Sequence, residues 1–185
     1  MSSDIVASST PERETSPNIG FFRLLLEDGK RNQGSVWRPG FQAMAMYRLG
    51  RWAMTGPVYR RPALLLYHML HVFVRNVYGI ELYKDAVIGR RFLIGHQGSI
   101  VIHQYCRIGD DCMIRQGATI GAADVFGPDD APELGNNVEI GAGAMIMGKV
   151  RIGNNVKIGP NAVVSTDVPD NSTVFAPQSR IISWG

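Results

Sequence analysis

The sequence predicts a mainly β protein in which a parallel β-helix follows a small α-helical domain. The strongest observation is a branched aliphatic residue at every sixth position of the C-terminal half, a series with two interruptions. The second is a small or β-branched residue four places further into most hexads. The third is a set of apolar stretches with helical spacing in the first half. The aliphatic series comprises Leu82, Ile88, Ile94, Ile102, Ile108, Ile114, Ile120, Leu134, Ile140, Ile146, Ile152, Ile158 and Val164.

A period of six fits neither an amphipathic helix nor simple alternation, and short internal repeats are typical of solenoids. Three short strands and three corners then form one triangular coil of about 18 residues, with the aliphatic side chains stacked inside. Many hexads continue with Gly, as in Ile88-Gly89 and Ile140-Gly141, and Asn recurs at Asn136-Asn137 and Asn154-Asn155. Both residue types favour tight corners, where a Cβ costs energy or a left-handed backbone is needed.

The chain divides into four parts in this interpretation. Residues 1–18 are rich in Ser, Thr and Glu, show no secretory leader, and are expected to be disordered. Residues 19–79 form the α-helical domain, and residues 80–170 the β-helix, with a loop at 121–133. Residues 171–185 form a C-terminal tail.

Three helices are expected in the first half, at Ile19–Asp28, Phe41–Met54 and Ala63–Val77. The third is too short and too polar to span a bilayer, although it could lie on one. It carries His68 and His71, half of a metal site by spacing, but no supporting ligand lies nearby, so helix packing is the preferred interpretation.

Four arginines, Arg48, Arg51, Arg60 and Arg61, form a local basic patch beside the third helix. Two interpretations stay open: a surface for a membrane or an anionic substrate, and an ordinary solvated helix face. The whole chain has a formal net charge of only +3, which argues against a nucleic-acid-binding protein. Its two cysteines, Cys106 and Cys112, both occupy the small inward position of the hexad, so packing is preferred over a disulfide or a metal pair.

The two interruptions of the hexads are the places where function is expected. The first adds two residues within Ile94–Ile102, next to His96, whose side chain should point outward from a corner. An ordinary surface histidine is the alternative at this point. The second, Gly121–Glu133, can leave the solenoid as an extended loop, and loops on rigid scaffolds commonly carry function.

Over Tyr78–Val168 the chain resembles the hexapeptide-repeat acyltransferases, and within them the serine acetyltransferase branch, nearly hexad for hexad. The resemblance includes the insertion after His96 and the loop after Thr119-Ile120-Gly121, and it extends to Arg38–Ala43 in the helical part. It implies a left-handed β-helix, an exception to the usual right-handed crossover. It also implies homotrimers, or dimers of trimers, with acetyl-CoA lying between adjacent prisms.

The same resemblance assigns roles to individual residues. It makes His96 the catalytic residue and Glu81 the acid that orients it, and it makes Asp28 an acceptor-binding residue of the helical domain. His103 and Gln104 replace a Gly and a Glu of the family and become candidate acceptor contacts. For CoA it implies Gly121, Ala122, Ala142, Gly143, Lys157, Pro160 and Arg180, and it implies no metal.

Three departures from the serine acetyltransferases bear on the acceptor. Gly95, Asp130 and Ala131 stand where that branch has an Asp, an Arg and a His that help to hold the amino acid, and Asp130 is therefore a further candidate acceptor residue. With these changes the chain looks more like the colanic-acid-type exopolysaccharide acetyltransferases, which have close counterparts of Ile88–Phe92, Ile114–Gly117 and Val168–Asn171.

The predicted function is an acetyl-CoA-dependent O-acetyltransferase that acts on a saccharide hydroxyl in exopolysaccharide or cell-surface polysaccharide biosynthesis. The expected location is the cytoplasm, with peripheral association at the inner face of the cytoplasmic membrane as an option. Two alternatives are kept: serine O-acetylation for cysteine biosynthesis, and a non-catalytic trimeric scaffold.

Overall fold

The computed structural model describes residues 19–122, 127 and 130–183. The segment 1–18, expected to be disordered, lies outside the described residues, as does most of the stretch 123–129 within the predicted loop.

Three α-helices make up the N-terminal part: α1 at Phe21–Arg31, α2 at Pro39–Thr55 and α3 at Ala63–Phe73. A 3₁₀ turn at Val58–Arg60 precedes α3, and a π-helical turn at Val74–Tyr78 follows it. Helix α1 runs past the stop expected at Asp28-Gly29. A Cβ on Gly29 would only touch the Phe41 ring of α2, at 3.4 Å, so the glycine stays in the helix at a packed interface.

Within the described residues, fourteen short strands follow and pair in parallel in three sheets. Sheet A contains, in spatial order, β1 (Ile80–Leu82), β4 (Ile100–Ile102), β7 (Thr119–Gly121), β10 (Met145–Met147) and β13 (Val163–Val164). Sheet B contains β2 (Val87–Ile88), β5 (Arg107–Ile108), β8 (Glu133–Leu134) and β11 (Arg151–Ile152). Sheet C contains β3 (Leu93–Ile94), β6 (Met113–Ile114), β9 (Glu139–Ile140), β12 (Lys157–Ile158) and β14 (Thr173–Val174). Consecutive strands visit A, B and C in turn as far as β13, and an isolated bridge between Ile152 and Val168 stands in for sheet B before β14. The prediction of a parallel β-helix is therefore confirmed.

The interior of the prism is the predicted aliphatic ladder. Every member of the six-residue series is at most 5 % exposed, and Phe92 is fully buried among the small inward residues. Cys106 and Cys112 are buried free thiols, so the packing interpretation is confirmed. Burial raises the pKa of Cys106 to about 12 and that of Cys112 to about 11, which keeps both thiols protonated and inert near neutral pH.

The corners use Asn and Gly for different reasons. Asn137, Asn155, Asn161 and Asn171 all have φ between 54° and 59°, the left-handed conformation that the sequence suggested for Asn. Gly89, by contrast, has no positive φ. A Cβ there would lie 2.5 Å from the carbonyl oxygen of Gly109 in the next coil, so glycine is needed because successive coils approach closely.

The helical domain covers the open end of sheet B, where β2 has a strand on one side only. The hydroxyl of Tyr47 donates to the carbonyl of Ala86 at 2.8 Å and accepts from the amide of Ile88 at 2.9 Å. Arg48 donates to the carbonyls of Ile88 and Gly89 at 2.9 and 2.6 Å. Backbone groups that would otherwise form an exposed sheet edge are thus paired by side chains of α2.

Asp28 completes this junction. Its carboxylate is fully buried and accepts from Arg48 at 2.8 and 3.4 Å. Burial raises the pKa of the Asp28 carboxyl, while the charge and hydrogen bonds of Arg48 oppose that rise. The structure therefore gives Asp28 a different partner from the acceptor expected from the resemblance, and solvent does not reach it.

Candidate active site

His96 lies on the edge of the prism where sheet C turns into sheet A. Strand β3 ends at Ile94, and the six residues 95–100 that lead from it to Val101 are two more than the residues 115–118 between the paired positions Ile114 and Thr119 in the next coil. The longer corner is accommodated by left-handed backbone at Gly98, with φ 107°, and at Ser99, with φ 52°. The imidazole of His96 is exposed. A bulged corner therefore presents this histidine outward, as the interruption of the hexads indicated.

Glu81 lies in β1, one coil before His96, and faces outward from sheet A. It is in register with Val101 of β4, the strand that follows the His96 corner. Its carboxylate accepts a hydrogen bond of 2.8 Å from the hydroxyl of Tyr83. Within the described part of the chain, no hydrogen bond joins Glu81 to His96. The two residues lie in neighbouring coils, and Glu81 is oriented by a residue that the sequence analysis did not single out.

Tyr83 and His71 form a second layer behind Glu81. The hydrogen bond to Glu81 raises the pKa of Tyr83, so the phenol stays protonated and acts as the donor. His71 of α3 packs against Tyr83 with the ring centroids 5.1 Å apart, and burial lowers its pKa. The helix packing predicted for His71 is thus observed. The sequence holds one signal for the contact between Tyr83 and Glu81. The two residues are two places apart, so an extended chain puts their side chains on the same face.

Several residues implied for CoA lie on the same edge of the prism as His96, several coils further on. Ala142 and Gly143 occupy the corner between β9 and β10, and Pro160 occupies the corner between β12 and β13. A shallow groove beside this edge, on the outer face of sheet C, is lined by Met113, Arg115, Glu139, Ile140, Gly141, Ala142, Lys157, Ile158, Gly159, Pro160 and Thr173. Small residues and two cations therefore line a continuous path along one edge.

Two charged residues of this groove, Lys157 and Glu139, have exposed side chains. Lys157 lies 3.7 Å from Glu139, and the two side chains are 65 % and 46 % exposed. Such a surface pair contributes little to stability and leaves the ammonium able to meet another anion. Arg180, the other cation implied for CoA, lies exposed in the irregular tail after β14.

The remaining candidate residues lie on the opposite edge of sheet A, where it turns into sheet B. His103 follows β4 and stacks on Gly121 of the next coil, its amide donating to the carbonyl of Ile120 at 2.9 Å. Gln104 adjoins it in the same corner, Ala122 follows Gly121, and Asp130 lies near the end of the loop. The His103 ring also packs edge-on against Tyr105, with centroids 5.4 Å apart.

The width of sheet A separates the two edges. Residues 97–99 of the His96 corner and the three residues of β4 lie between His96 and His103, and the three strand residues alone span roughly 10 Å at 3.3 Å per residue. Within one chain the two histidines therefore stand at different edges of sheet A.

Two positions that depart from the serine acetyltransferase pattern, Ala131 and Gly95, lie in well-defined surroundings. Ala131 is buried, 6 % exposed, and packs with the core beside β8. At Gly95, a Cβ would lie 3.6 Å from the Cγ of Arg115, which occupies the equivalent place one coil later. The aliphatic stem of Arg115 therefore passes beside residue 95.

No group of three or more His, Cys, Asp or Glu residues able to hold a metal ion occurs among the described residues. The helices of this same part of the chain include none long and apolar enough to cross a membrane.

Comparison with known proteins agrees with this geometry. The family model "Bacterial transferase hexapeptide (six repeats)" matches residues 131–166. A serine acetyltransferase of Helicobacter pylori (strain 26695) is 37% identical over 164 residues, covering 87% of this chain and 93% of that protein. The putative colanic acid biosynthesis acetyltransferase WcaB of Escherichia coli (strain K12) is 36% identical over 166 residues, covering 85% of this chain and 98% of that protein.

Solved structures extend the comparison to the fold. Serine acetyltransferase isoform 3 of Entamoeba histolytica, in complex with cysteine, matches with a TM-score of 0.71 and 27% identity, covering 89% of this chain and 62% of that one. The Neisseria gonorrhoeae enzyme matches with a TM-score of 0.73 and 26% identity, covering 88% and 66%. Serine acetyltransferases are left-handed β-helices, and the predicted hand is confirmed.

Relatives differ in how much of their own length this chain spans. It covers 57% of a Synechococcus elongatus serine acetyltransferase that is 35% identical, and nearly the whole of the shorter Helicobacter and Escherichia proteins. With the hexad ladder, the bulged histidine corner and these relatives together, the chain belongs to the hexapeptide-repeat acyltransferases, in the group that contains the serine acetyltransferases and the WcaB-type acetyltransferases.

Proposed function

We propose that this protein is an acetyl-CoA-dependent O-acetyltransferase whose acceptor is a sugar hydroxyl in exopolysaccharide or cell-surface polysaccharide biosynthesis. The proposal of a sugar acceptor rests on an exposed His96 combined with residues that differ from the serine acetyltransferase pattern at Gly95, Asp130 and Ala131. A carboxylate, a guanidinium and an imidazole that would meet the charged ends of serine are missing. A neutral, polyhydroxylated acceptor does not need them.

In the proposed reaction His96 acts as a general base. It takes the proton of the acceptor hydroxyl as the oxygen attacks the thioester carbonyl, and the C–S bond of the resulting oxyanion then breaks. The imidazolium returns its proton to the departing CoA thiolate, so the histidine ends in its initial state. Glu81, held by Tyr83, would orient the ring and stabilise its cationic form. An acetyl thioester is already activated, and this sequence of steps routes no bond change through a metal.

CoA would lie along the edge that carries His96, Ala142, Gly143 and Pro160. Small residues at these corners allow the pantetheine arm to approach the backbone, and Lys157 lies in the adjacent groove, where it can meet a phosphate. Gly121 and Ala122 lie on the other edge of sheet A, so they could contact the same arm only from a neighbouring prism.

This division of residues supports a homotrimer in which two edges from different subunits face each other. The outward side chains of sheet A after Glu81 are Val101, Thr119, Met145 and Val163, and none is charged. Met145 is 39% exposed and Val163 67% exposed, as expected for a face that packs against a second prism. In such an assembly His96 of one subunit would meet His103 and Gln104 of the next.

Two candidate acceptors can be separated directly. Purified protein is incubated with acetyl-CoA and either L-serine or a panel of nucleotide sugars and oligosaccharides, and free thiol is followed. Turnover with a saccharide and none with serine is expected. Turnover with serine alone would replace the proposal by serine O-acetylation, which the 37% identical serine acetyltransferase makes the second candidate. No turnover with any acceptor would favour the scaffold alternative.

The role of His96 has its own test. His96→Ala should lower kcat by at least about a hundredfold while acetyl-CoA binding, measured by calorimetry, is preserved. His68→Ala, which removes an exposed histidine of α3, is the matched control and should leave kcat unchanged. Activity that survives in His96→Ala would exclude His96 as the base.

A further inference from the structure

Helix α3 and the π-helical turn that continues it to Tyr78 have one face buried against the first coil and an opposite face open to solvent. Tyr67, His71 and Val74 turn inward. Leu65, Met69, Phe73 and Val77, spaced four residues apart, are 70%, 59%, 47% and 61% exposed and form one continuous stripe. Leu66 and Val72 widen it. We call this set the α3 stripe. An exposed apolar surface of this kind marks an interaction site rather than an ordinary surface.

Charge identifies what the α3 stripe can meet. Between residues 29 and 80 the sequence contains eight cations and no Asp or Glu at all. Arg48 is buried in its ion pair with Asp28, and the exposed ones are Lys30, Arg31, Arg38, Arg61 and Arg75. The rest of the chain is therefore net acidic, since the total is only +3. Arg61, just before α3, and Arg75, just after it, are both exposed at the ends of the stripe.

A second copy of this chain would bring its own Arg61 and Arg75 to the same face. Like charges would then oppose association at the stripe, whereas an anionic surface would be attracted to it. An apolar helix face flanked by arginines is the pattern of helices that lie in the interface of a membrane containing anionic lipids. Tyr59, 76% exposed at the start of the segment, adds an amphipathic ring of the kind found at that interface.

We propose that the α3 stripe docks this protein onto an anionic lipid bilayer, with the side chains of Leu65, Met69 and Phe73 among the acyl chains and Arg61 and Arg75 at the lipid headgroups. The helix lies parallel to the surface in this arrangement. The β-helix, on the other side of α3, stays in the aqueous phase. This inference concerns where the enzyme works and stands whichever acceptor it uses.

The test is co-sedimentation of the full chain with vesicles, which requires no acceptor. Vesicles of phosphatidylglycerol and phosphatidylethanolamine should bind the protein, and high salt should weaken that binding. Phosphatidylcholine vesicles should bind it much less. Failure to bind the anionic vesicles would overturn the proposal, and equal binding to both kinds of vesicle would overturn the role of the arginines.

Two variants separate the apolar and electrostatic contributions. Leu65→Gln/Met69→Gln should lower the partition coefficient by about tenfold or more, because two apolar side chains no longer enter the acyl-chain region. Arg61→Gln/Arg75→Gln should weaken binding to anionic vesicles and remove most of its salt dependence. Phe175→Gln is the matched control, since Phe175 is 79% exposed but lies after β14, at the far end of the β-helix.

Since the substituted side chains are exposed, the variants should melt at the temperature of the wild type, which thermal unfolding checks. Sedimentation velocity then distinguishes a membrane from a second copy. A Leu65→Gln/Met69→Gln protein that keeps its vesicle binding but falls to a smaller oligomer would show that the α3 stripe is a subunit interface, and the proposal would be abandoned.

Discussion

Within the β-helix each coil rests on the next through the same few contacts, whereas the helical domain is joined to the first coil by side chains that each occur once. The coils repeat an aliphatic inside, a glycine or asparagine at the corner, and a backbone ladder along the sheet. At the junction, Tyr47, Arg48 and Asp28 pair the backbone edge of β2 and one another.

The difference explains how a solenoid can end without an exposed strand edge. Each coil pairs its backbone with a neighbouring coil, so an uncovered end would expose unpaired N–H and C=O groups to which another strand could bind. A terminal unit has to satisfy that edge without repeating it. Here a hydroxyl and a guanidinium on α2 do so. Perturbing them should therefore affect the whole first coil, next to which the proposed active site lies.

The largest stability effect is expected for Arg48→Ala. It leaves the buried Asp28 carboxylate without its cation and the carbonyls of Ile88 and Gly89 without donors, which should cost about 3–5 kcal/mol of unfolding free energy. Urea unfolding measures it. Arg107→Ala, an exposed arginine of β5, is the control and should stay within about 0.5 kcal/mol of wild type.

An Asp28→Asn/Arg48→Met protein sharpens this result. Both charges are removed, so the loss should be smaller than for Arg48→Ala alone. If Arg48→Ala costs less than about 1 kcal/mol, the ion pair is not what holds the helical domain to the first coil.

A smaller effect is expected for Tyr47→Phe, because only the hydroxyl shared by Ala86 and Ile88 is lost. Leaving these buried backbone groups unpaired should cost about 1–3 kcal/mol. Amide hydrogen exchange should accelerate at Ile88 more than at the equivalent Ile108, which lies one coil further from the junction. Tyr59→Phe, at an exposed tyrosine, is the control; equal exchange at the two amides would contradict an edge-pairing role for Tyr47.

The contrast between repeat and junction also decides what could be predicted from sequence. The period of six predicted the inward ladder through Val164, the burial of both cysteines and the corner asparagines, because each coil repeats the same local requirement. The bulge at His96 was visible as a break in that period. None of this needed knowledge of distant contacts.

The junction could not be predicted, because it depends on single contacts between residues far apart in the chain. Asp28 was expected to bind an acceptor, yet its partner is Arg48, and nothing local to either residue indicates that both are buried. Tyr83 was not singled out at all, since a tyrosine two places after Glu81 is unremarkable until the strand shows that its hydroxyl reaches the carboxylate. The placement of His103 across sheet A from His96 likewise follows from the coil geometry and not from spacing.

The helical domain also reaches the proposed site, because His71 of α3 packs against Tyr83, and this contact leads to a kinetic prediction. Tyr83→Phe removes the hydrogen bond to Glu81 and should lower kcat by up to about tenfold while leaving KM for acetyl-CoA unchanged. Steady-state kinetics with the acceptor found in the thiol assay measures both constants. A melting temperature equal to that of wild type would separate this positioning role from a folding defect, and a change confined to KM would contradict it.

The smallest effect concerns acid sensitivity and compares one ion pair of the junction with one inside the β-helix. Arg90 hydrogen-bonds Glu27 of α1 and holds the pKa of that carboxyl below its ordinary value, and Arg91 does the same for Asp111. A lowered carboxyl pKa adds stability that is fully present above the ordinary value of about 4 and is lost as the pH falls through the lowered value.

Glu27→Gln and Asp111→Asn should therefore each lower the melting temperature near neutral pH, by about 1–3 °C, and the difference from wild type should close as the pH falls below about 4. The side chain of Glu27 is 17 % exposed and that of Asp111 42 %, so water screens the second pair more strongly. Glu27→Gln should accordingly have the larger effect. Equal changes in melting temperature for the two variants would mean that charge stabilises the junction between the domains no more than it stabilises the contacts between coils. The apolar packing of α1 and α2 would then be what holds the helical domain in place.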